Sequence, residues 1–535
     1  MSHKNSSLET DVVVVGAGFG GIYALHKLRG LGFSVQGFET GDDVGGTWFW
    51  NRYPGARCDV ESIDYSFSFD DTLQQEWNWT ERYAAQPEIQ AYIAHVADRF
   101  DLRPLIQFET KVVGAFWNEQ TVRWEITTDK GFKHRARYLI LATGSLSAAK
   151  EPDIEGLGDF AGDTLFTSNW PKDPVDLVGK RVGVIGTGSS AIQAIPLLAK
   201  EAGHLTVFQR TPNFSMPARN CPLTPKQLAD AKANYPEHRQ KTFASRAGVI
   251  AYGTDKSALE VDNEERARHF EAAWERGGAG FPGTFTDIMR DETANDYAAQ
   301  FVRSKIQELV EDPQTADILS PREYPLGAKR VALDTNYYQT FNRRNVTIKD
   351  LRQQPIIRIV PQGVETCDGI TALDTLILAT GFDAMTGSFL RVNIRGVAGK
   401  TLRDHWSAGP RTYLGLMANG FPNLFIVAGP GSPSVLSNMV LSIEQHVNWI
   451  SDCIMNMRST DLQRIEANAD AEDGWVKRLN DVAAGTLFMK GNSWYLGANV
   501  PGKPRVFMPF LGGISEYRRI CDEVVANRYT GFTLT

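Results

Sequence analysis

An α/β protein with two parallel-sheet units and a helical segment set into the second is predicted by three features of the sequence. Two apolar runs, Val12 to Gly16 and Val182 to Gly186, open glycine-rich turns. Two more, Tyr138 to Gly144 and Leu376 to Gly381, each contain the string L-I-L-A-T-G. Short, unbroken apolar runs are what strands buried on both faces show. Between about Pro222 and Gln307 the pattern changes to charged, helix-period sequence such as PKQLADAKANY and EERARHFEAAWER, which reads as a helical insertion. The repeated L-I-L-A-T-G suggests two related returns of the chain to a sheet edge, one per unit.

The first turn spaces Gly16, Gly18 and Gly21 as G-x-G-x-x-G, directly after a strand and before the helical pattern IYALHKLRGLG. The first glycine permits a tight turn, the second admits a pyrophosphate, and the third lets helix and strand pack closely. The helix start offers free N–H groups and a partial positive charge. The following strand ends at Glu39, 18 residues beyond Gly21. A carboxylate there accepts hydrogen bonds from ribose hydroxyls, as FAD or NAD requires, and repels a 2′-phosphate. These features describe a Rossmann-like dinucleotide-binding unit.

The second turn, Gly186-Thr187-Gly188-Ser189-Ser190-Ala191, repeats the device with alanine at the small third position. Its next strand ends in Gln209-Arg210-Thr211, with an arginine 19 residues after Ala191 where the first unit has an acid. A guanidinium can clamp a 2′-phosphate with two parallel bonds, so NADP is expected here. The alternative for a lone arginine is a solvated surface position. Two such sites on one chain let a nicotinamide pass hydride to a flavin. A disulfide reductase of this build would need a close cysteine pair, but Cys58, Cys221, Cys367, Cys453 and Cys521 are scattered. Molecular oxygen is then the leading electron acceptor.

The bulk properties agree with a small-molecule enzyme. At 535 residues, 42% hydrophobic and 22% charged, the chain exceeds one core and should hold two or three domains. Its net charge of -7 comes without a basic block, which argues against nucleic-acid or membrane partners. The scattered, odd-numbered cysteines speak against a disulfide framework or zinc site. No signal core or membrane-length apolar run is evident, and a cytoplasmic location is expected. The expected organisation is an FAD-binding domain at 1–148 and 385–535, an NADP-binding domain at 149–215 and 329–384, and the helical insertion at 216–328.

Beyond the turns, Gly45, Gly46, Trp48, Tyr53, Pro54, Gly55 and Asp59 fill the pattern [A/G]-G-x-W-x4-[F/Y]-P-G-x3-D. Phe160, Gly162, Trp170 and Pro171 match F-x-G-x3-H-x3-W-[P/D], with Phe166 at the histidine position. With RTYLGL, AGPGSPSVLSNM and GANVPGKPRVFM nearer the C-terminus, the chain resembles type I Baeyer–Villiger monooxygenases along nearly its whole length. The resemblance implies FAD in the first unit and NADPH in the second, with Gly46, Thr47, Trp48, Asp59 and Tyr65 around the flavin. It implies that a ketone becomes an ester or lactone through a C4a-peroxyflavin formed with O2.

The family's catalytic arginine follows G-x-K, which places it at Arg330, with Asp59 orienting it. An ordinary ion pair is the plainer reading of those two residues. Lys329 would face the 2′-phosphate beside Arg210 and Thr211, and Trp494 would cover NADP, although a single Trp is more often core. Val60, Leu146, Ser434, Val435, Leu436 and Met508 fall where relatives line a hydrophobic ketone pocket, and apolar core is the competing reading. In the family the histidine replaced by Phe166 is implicated in coupling the domains. A phenylalanine there either keeps the packing, or impairs coupling or alters the chemistry. Two alternatives to the ketone reaction are oxygenation of sulfur or nitrogen, and an uncoupled, flavin-binding NADPH oxidase.

Overall fold

The computed structural model describes residues 8–535. One sheet of eight strands runs in the order Asn393–Arg395, Val112–Asn118, Arg123–Thr128, Lys133–Leu141, Leu8–Val15, Val35–Phe38 and Ile106–Gln107, with Leu424–Ile426 added alongside Lys133–Leu141. Its strands are parallel except around Arg123–Thr128, which pairs antiparallel on both sides. A second sheet has five strands, all parallel, in the order Val346–Asp350, His204–Gln209, Arg181–Ile185, Thr375–Leu378 and Asp163–Phe166. Helices on the faces bury both sides of these strands, which is why Val12, Val13 and Val14, or Leu376 and Ile377, are fully inaccessible without alternating.

The two L-I-L-A-T-G strands do not lie at sheet edges as the repeat suggested. Each lies in the interior, directly beside the strand that feeds a glycine turn: Leu139 pairs with Val13, and Ile377 with Val184. Strand burial is legible in composition, whereas strand order is set by which neighbours pair, and a sequence run carries no mark of that.

The helices Pro225–Ala244, Asn263–Arg276, Glu292–Leu309 and Pro313–Leu319 form the insertion. Each begins with a side-chain cap, from Thr224, Asp262, Asp291 and Asp312 respectively. Phe270, Trp274, Ala298 and Val302 share one core with Val184, Ile192 and Ile195 of the second sheet unit. The helix Pro225–Ala244 reaches the other way. Its buried Arg239 donates to Gln74 Oε1 (3.1 Å) and Ser66 Oγ (2.7 Å) of the first unit.

The chain crosses between the units twice, and the crossings lie side by side. Ala149 bridges to Phe382, and Asp383 N donates to Ala148 O at 2.8 Å.

Candidate active site between two nucleotide cradles

The first cradle is held open by glycines that nothing larger could replace. Gly16 has φ +104°, and a Cβ there would lie 2.5 Å from Ala142 O, on the neighbouring L-I-L-A-T-G segment. Gly46 has φ +55°, and its Cβ would come within 2.9 Å of Gly18 Cα, so two backbones cross at contact distance. A Cβ on Gly21 would meet Gly16 O at 1.8 Å, which is the close helix–strand packing expected of the third glycine.

The helix Phe19–Gly30 starts at Gly18 with no side-chain cap. Glu39 is buried, and its carboxylate accepts from Ala17 N (2.7 Å) and Gly41 N (2.8 Å). Burial raises its pKa while those donors pull it down. Each oxygen keeps a further lone pair for a ribose hydroxyl. Thr47 opens the short helix Thr47–Trp50, and Trp48 Nε1 donates to the Tyr65 hydroxyl at 3.1 Å.

The second cradle repeats this construction. Gly186 has φ +113°, and a Cβ would lie 2.5 Å from Ala379 O, while the space beside Gly188 is open. The helix Ser189–Glu201 also begins without a side-chain cap, unlike the four insertion helices. The N–H groups of both uncapped starts need an acceptor, and a pyrophosphate supplies one at the positive end of the helix. The residues present therefore fit two dinucleotides. Thr187 Oγ1 donates to Thr211 O at 3.0 Å, tying the turn to the end of the next strand.

Arg210 is exposed there, and Lys329 Nζ lies 4.4 Å over the Tyr324 ring. Burial lowers the Lys329 pKa, and the charge of Arg210 lowers it further. Lys150, which no motif singles out, feels the same two effects in the same order. Its Nζ donates to Asn499 O at 2.6 Å. None of these three cations bonds a carboxylate among the described residues; Asp383 and Glu323 act on Lys150 and Lys329 only from further away.

Arg330 and Asp59 meet although 271 positions separate them in sequence. Nε donates to one carboxylate oxygen at 2.7 Å and Nη2 to the other at 2.9 Å, while Nη1 donates to Val435 O. The two side chains remain 30% and 25% exposed although protein surrounds them, as expected for a pair facing a cleft. Burial works against charge on both groups, but each stabilises the other: the Asp59 pKa is lowered and that of Arg330 raised. The nearby Tyr495 hydroxyl raises the Arg330 pKa further. Sequence reading missed Tyr495, and its only signal was the Trp494 neighbour singled out for another role.

Leu146, Val435, Leu436 and Met508 come together in one apolar cluster with Trp494 and Tyr495, whose rings lie 4.3 Å apart. Ser434 is fully buried at φ +45°, and the turn it makes sets the Val435 carbonyl on Arg330. Val60, half-buried, packs instead against the core of the first unit. Phe166 lies at the end of its strand opposite Leu378 and packs with Ile185 and Phe208 in the core of the second unit.

Two nucleotide cradles flanking a charged pair define a flavin- and pyridine-nucleotide-dependent oxidoreductase, and residues 10–222 match the pyridine nucleotide-disulphide oxidoreductase family. The five cysteines, at 58, 221, 367, 453 and 521, include no closely spaced pair for the dithiol chemistry in that family's name. A Baeyer-Villiger monooxygenase of Pseudooceanicola batsensis is 44% identical, covering 98% of this chain and 96% of the relative. The cyclohexanone 1,2-monooxygenase of Acinetobacter sp is 42% identical, covering 100% and 98%. Among solved structures, an oxidized steroid monooxygenase bound to NADP superposes with a TM-score of 0.95 at 50% identity, covering 98% of this chain and 99% of that one. The chain belongs to the Baeyer–Villiger monooxygenases, and its cofactors are FAD and NADPH.

Proposed function

We propose that this protein uses NADPH and O2 to convert a hydrophobic ketone to an ester or lactone, with water and NADP+ as the other products. The observation that carries the reading is the two-pronged, partly exposed Arg330–Asp59 pair beside the apolar cluster of Leu146, Val435, Leu436 and Met508. Bound FAD supplies the redox chemistry, taking hydride from NADPH and passing the electrons to O2.

What the chain's own residues do follows from the geometry. Insertion of oxygen beside a carbonyl builds negative charge on oxygen, first on the attacking atom and then on the former carbonyl. A guanidinium keeps its proton where a lysine would lose it, so Arg330 holds a positive charge at that point. Asp59 takes two of its N–H directions and the Val435 carbonyl a third, which leaves the rest of the fork aimed in one direction. The apolar wall excludes water and strengthens this interaction. Arg210, Thr211 and Lys329 hold the 2′-phosphate, Gly186 to Ser190 the pyrophosphate of NADP, and Glu39 the ribose of FAD. Trp494 covers the nicotinamide side.

The test is to incubate the flavin-loaded protein with NADPH and, in parallel, an aryl ketone, a cyclic ketone and a sulfide. Ester in near stoichiometry with NADPH is expected; sulfoxide without ester would overturn the ketone assignment. Arg330→Ala should keep flavin reduction and lose ester formation by ~10²–10³-fold. Ester formation at the wild-type rate in that variant would remove Arg330 from the chemistry.

A further inference from the structure

The loop that carries Asp59 is fastened to the other domain by a residue that neither fingerprint contains. Gln193 sits one turn into the helix Ser189–Glu201, whose start forms the second cradle. Its side chain engages the Asp59 loop at three points. Oε1 accepts from the Tyr53 hydroxyl (2.9 Å) and from Arg57 N (3.3 Å), while Nε2 donates to Arg57 O (3.0 Å). Its backbone takes part as well: Gly55 has φ +83°, and a Cβ there would lie 2.4 Å from Gln193 O.

Tyr53 and Ala56 leave the first unit altogether and bury in the core of the second, beside Ala191, Ile192 and Ile195. The Tyr53-Pro54-Gly55 segment is thus a docking surface between domains. Apolar burial would hold the loop near the helix but let it slide. An amide that spends an acceptor on two donors and a donor on one acceptor fixes both register and rotation.

We propose that Gln193 is a positioning residue that locks the NADP-binding helix to the Asp59 loop, so that the nicotinamide cradle and the Arg330–Asp59 pair keep one mutual geometry. This inference rests on the reading of that pair given above. Hydride transfer and oxygen insertion happen at the same flavin, so the helix start and Arg330 must agree in position to a fraction of an ångström. Misplacement on the order of 1 Å is enough to slow a positioned reaction by up to about 10²-fold. Gln193 acts four residues beyond Ser189, on the chain itself rather than on any reacting atom.

The experiment uses the flavin-loaded full-length protein as wild type, Gln193→Leu, Gln193→Glu, Tyr53→Phe, and the Tyr53→Phe/Gln193→Leu double variant. Three quantities are read: flavin reduction by saturating NADPH, ester formed per NADPH, and amide hydrogen exchange of residues 53–59 without nucleotide. Gln193→Leu is expected to slow reduction about tenfold, to lower ester per NADPH with matching peroxide release, and to speed exchange in the loop. The KM for NADPH should move less than twofold, because Arg210 and Lys329 are untouched. The double variant should be no worse than Gln193→Leu, since the two remove one shared bond. Gln193→Glu keeps the acceptor and loses the donor, and should fall between; it also serves if leucine prevents folding. Wild-type reduction, coupling and loop exchange in both Gln193 variants would overturn the inference, as would additive losses in the double variant. If the wild type itself makes no ester, the functional reading fails instead, while loop exchange still reports on the Gln193 lock.

Discussion

Arg330 joins a contact in the fold to the chemistry proposed above. Its bonds to Asp59 look like an ordinary half-exposed ion pair, and a pair of that kind contributes little net stability once desolvation and screening are counted. Its value lies in direction, because a fork held at three N–H groups points the other two. His446 shows the opposite case, a titratable group kept uncharged. It is fully inaccessible within the helix Met439–Ser459, and its Nδ1 accepts from Ala428 N at 2.9 Å. Burial lowers its pKa to about 3. The unfolded chain therefore binds a proton near pH 6.5 that the folded chain refuses until about pH 3, so this residue costs stability progressively as pH falls through that window. Between pH 7.5 and pH 5 the loss should be about 2 kcal/mol relative to a His446→Gln variant, which cannot titrate. Denaturant unfolding of both proteins at the two pH values measures it. Parallel pH dependence would mean that His446 is protonated in the folded state.

At the scale of elements, local features of the sequence were readable and the contacts between elements were not. The glycine turns, Glu39 and Arg210 stand in motifs whose spacing is set by one strand and one helix, whereas Asp59 and Arg330 lie in loops, where only the family resemblance pointed to them. Lys150, Gln193 and Tyr495 make their contacts across distant parts of the chain, and no motif includes them. The strand order was misjudged for the same reason. Phe166 lies between these cases: the motif exposed the departure, but only the fold shows its surroundings. The ring is half-buried on the edge strand of the second sheet, against the core that holds Ile185, Phe208 and Leu378. An apolar aromatic suits that site, and the Gln193 contacts already join the domains. Phe166→His should therefore leave ester per NADPH unchanged and lower the melting temperature, since it places a polar ring among apolar neighbours. A rise in coupling on this substitution would show that the native chain lacks something histidine supplies.

For the molecule as a whole, the helical insertion and the paired crossings tie together two sheet units whose ligands must meet. Arg239 anchors one insertion helix on the first unit while the others share the core of the second. The charge distribution adds a second constraint. Arg210, Lys329 and Lys150 gather at the C-terminal end of the second sheet with no carboxylate bonded to any of them among the described residues, in a chain whose net charge is -7. Burial first, and then the charge of Arg210, lowers the pKa values of Lys329 and Lys150. An arriving phosphate relieves that repulsion as well as making its own bonds, so the preference for NADPH over NADH should exceed what a single arginine supplies. Because Arg210 is exposed, its part is screened by salt, while that of half-buried Lys329 is screened less. The ratio of kcat/KM for NADPH to that for NADH should fall at least tenfold in Arg210→Ala, and in the wild type it should shrink as ionic strength rises from 0.05 to 1 M. Saturating NADP+ should raise the wild-type melting temperature more than NAD+ does, and Arg210→Ala should erase most of that difference. Equal loss of activity with both nucleotides would instead place Arg210 against the pyrophosphate they share.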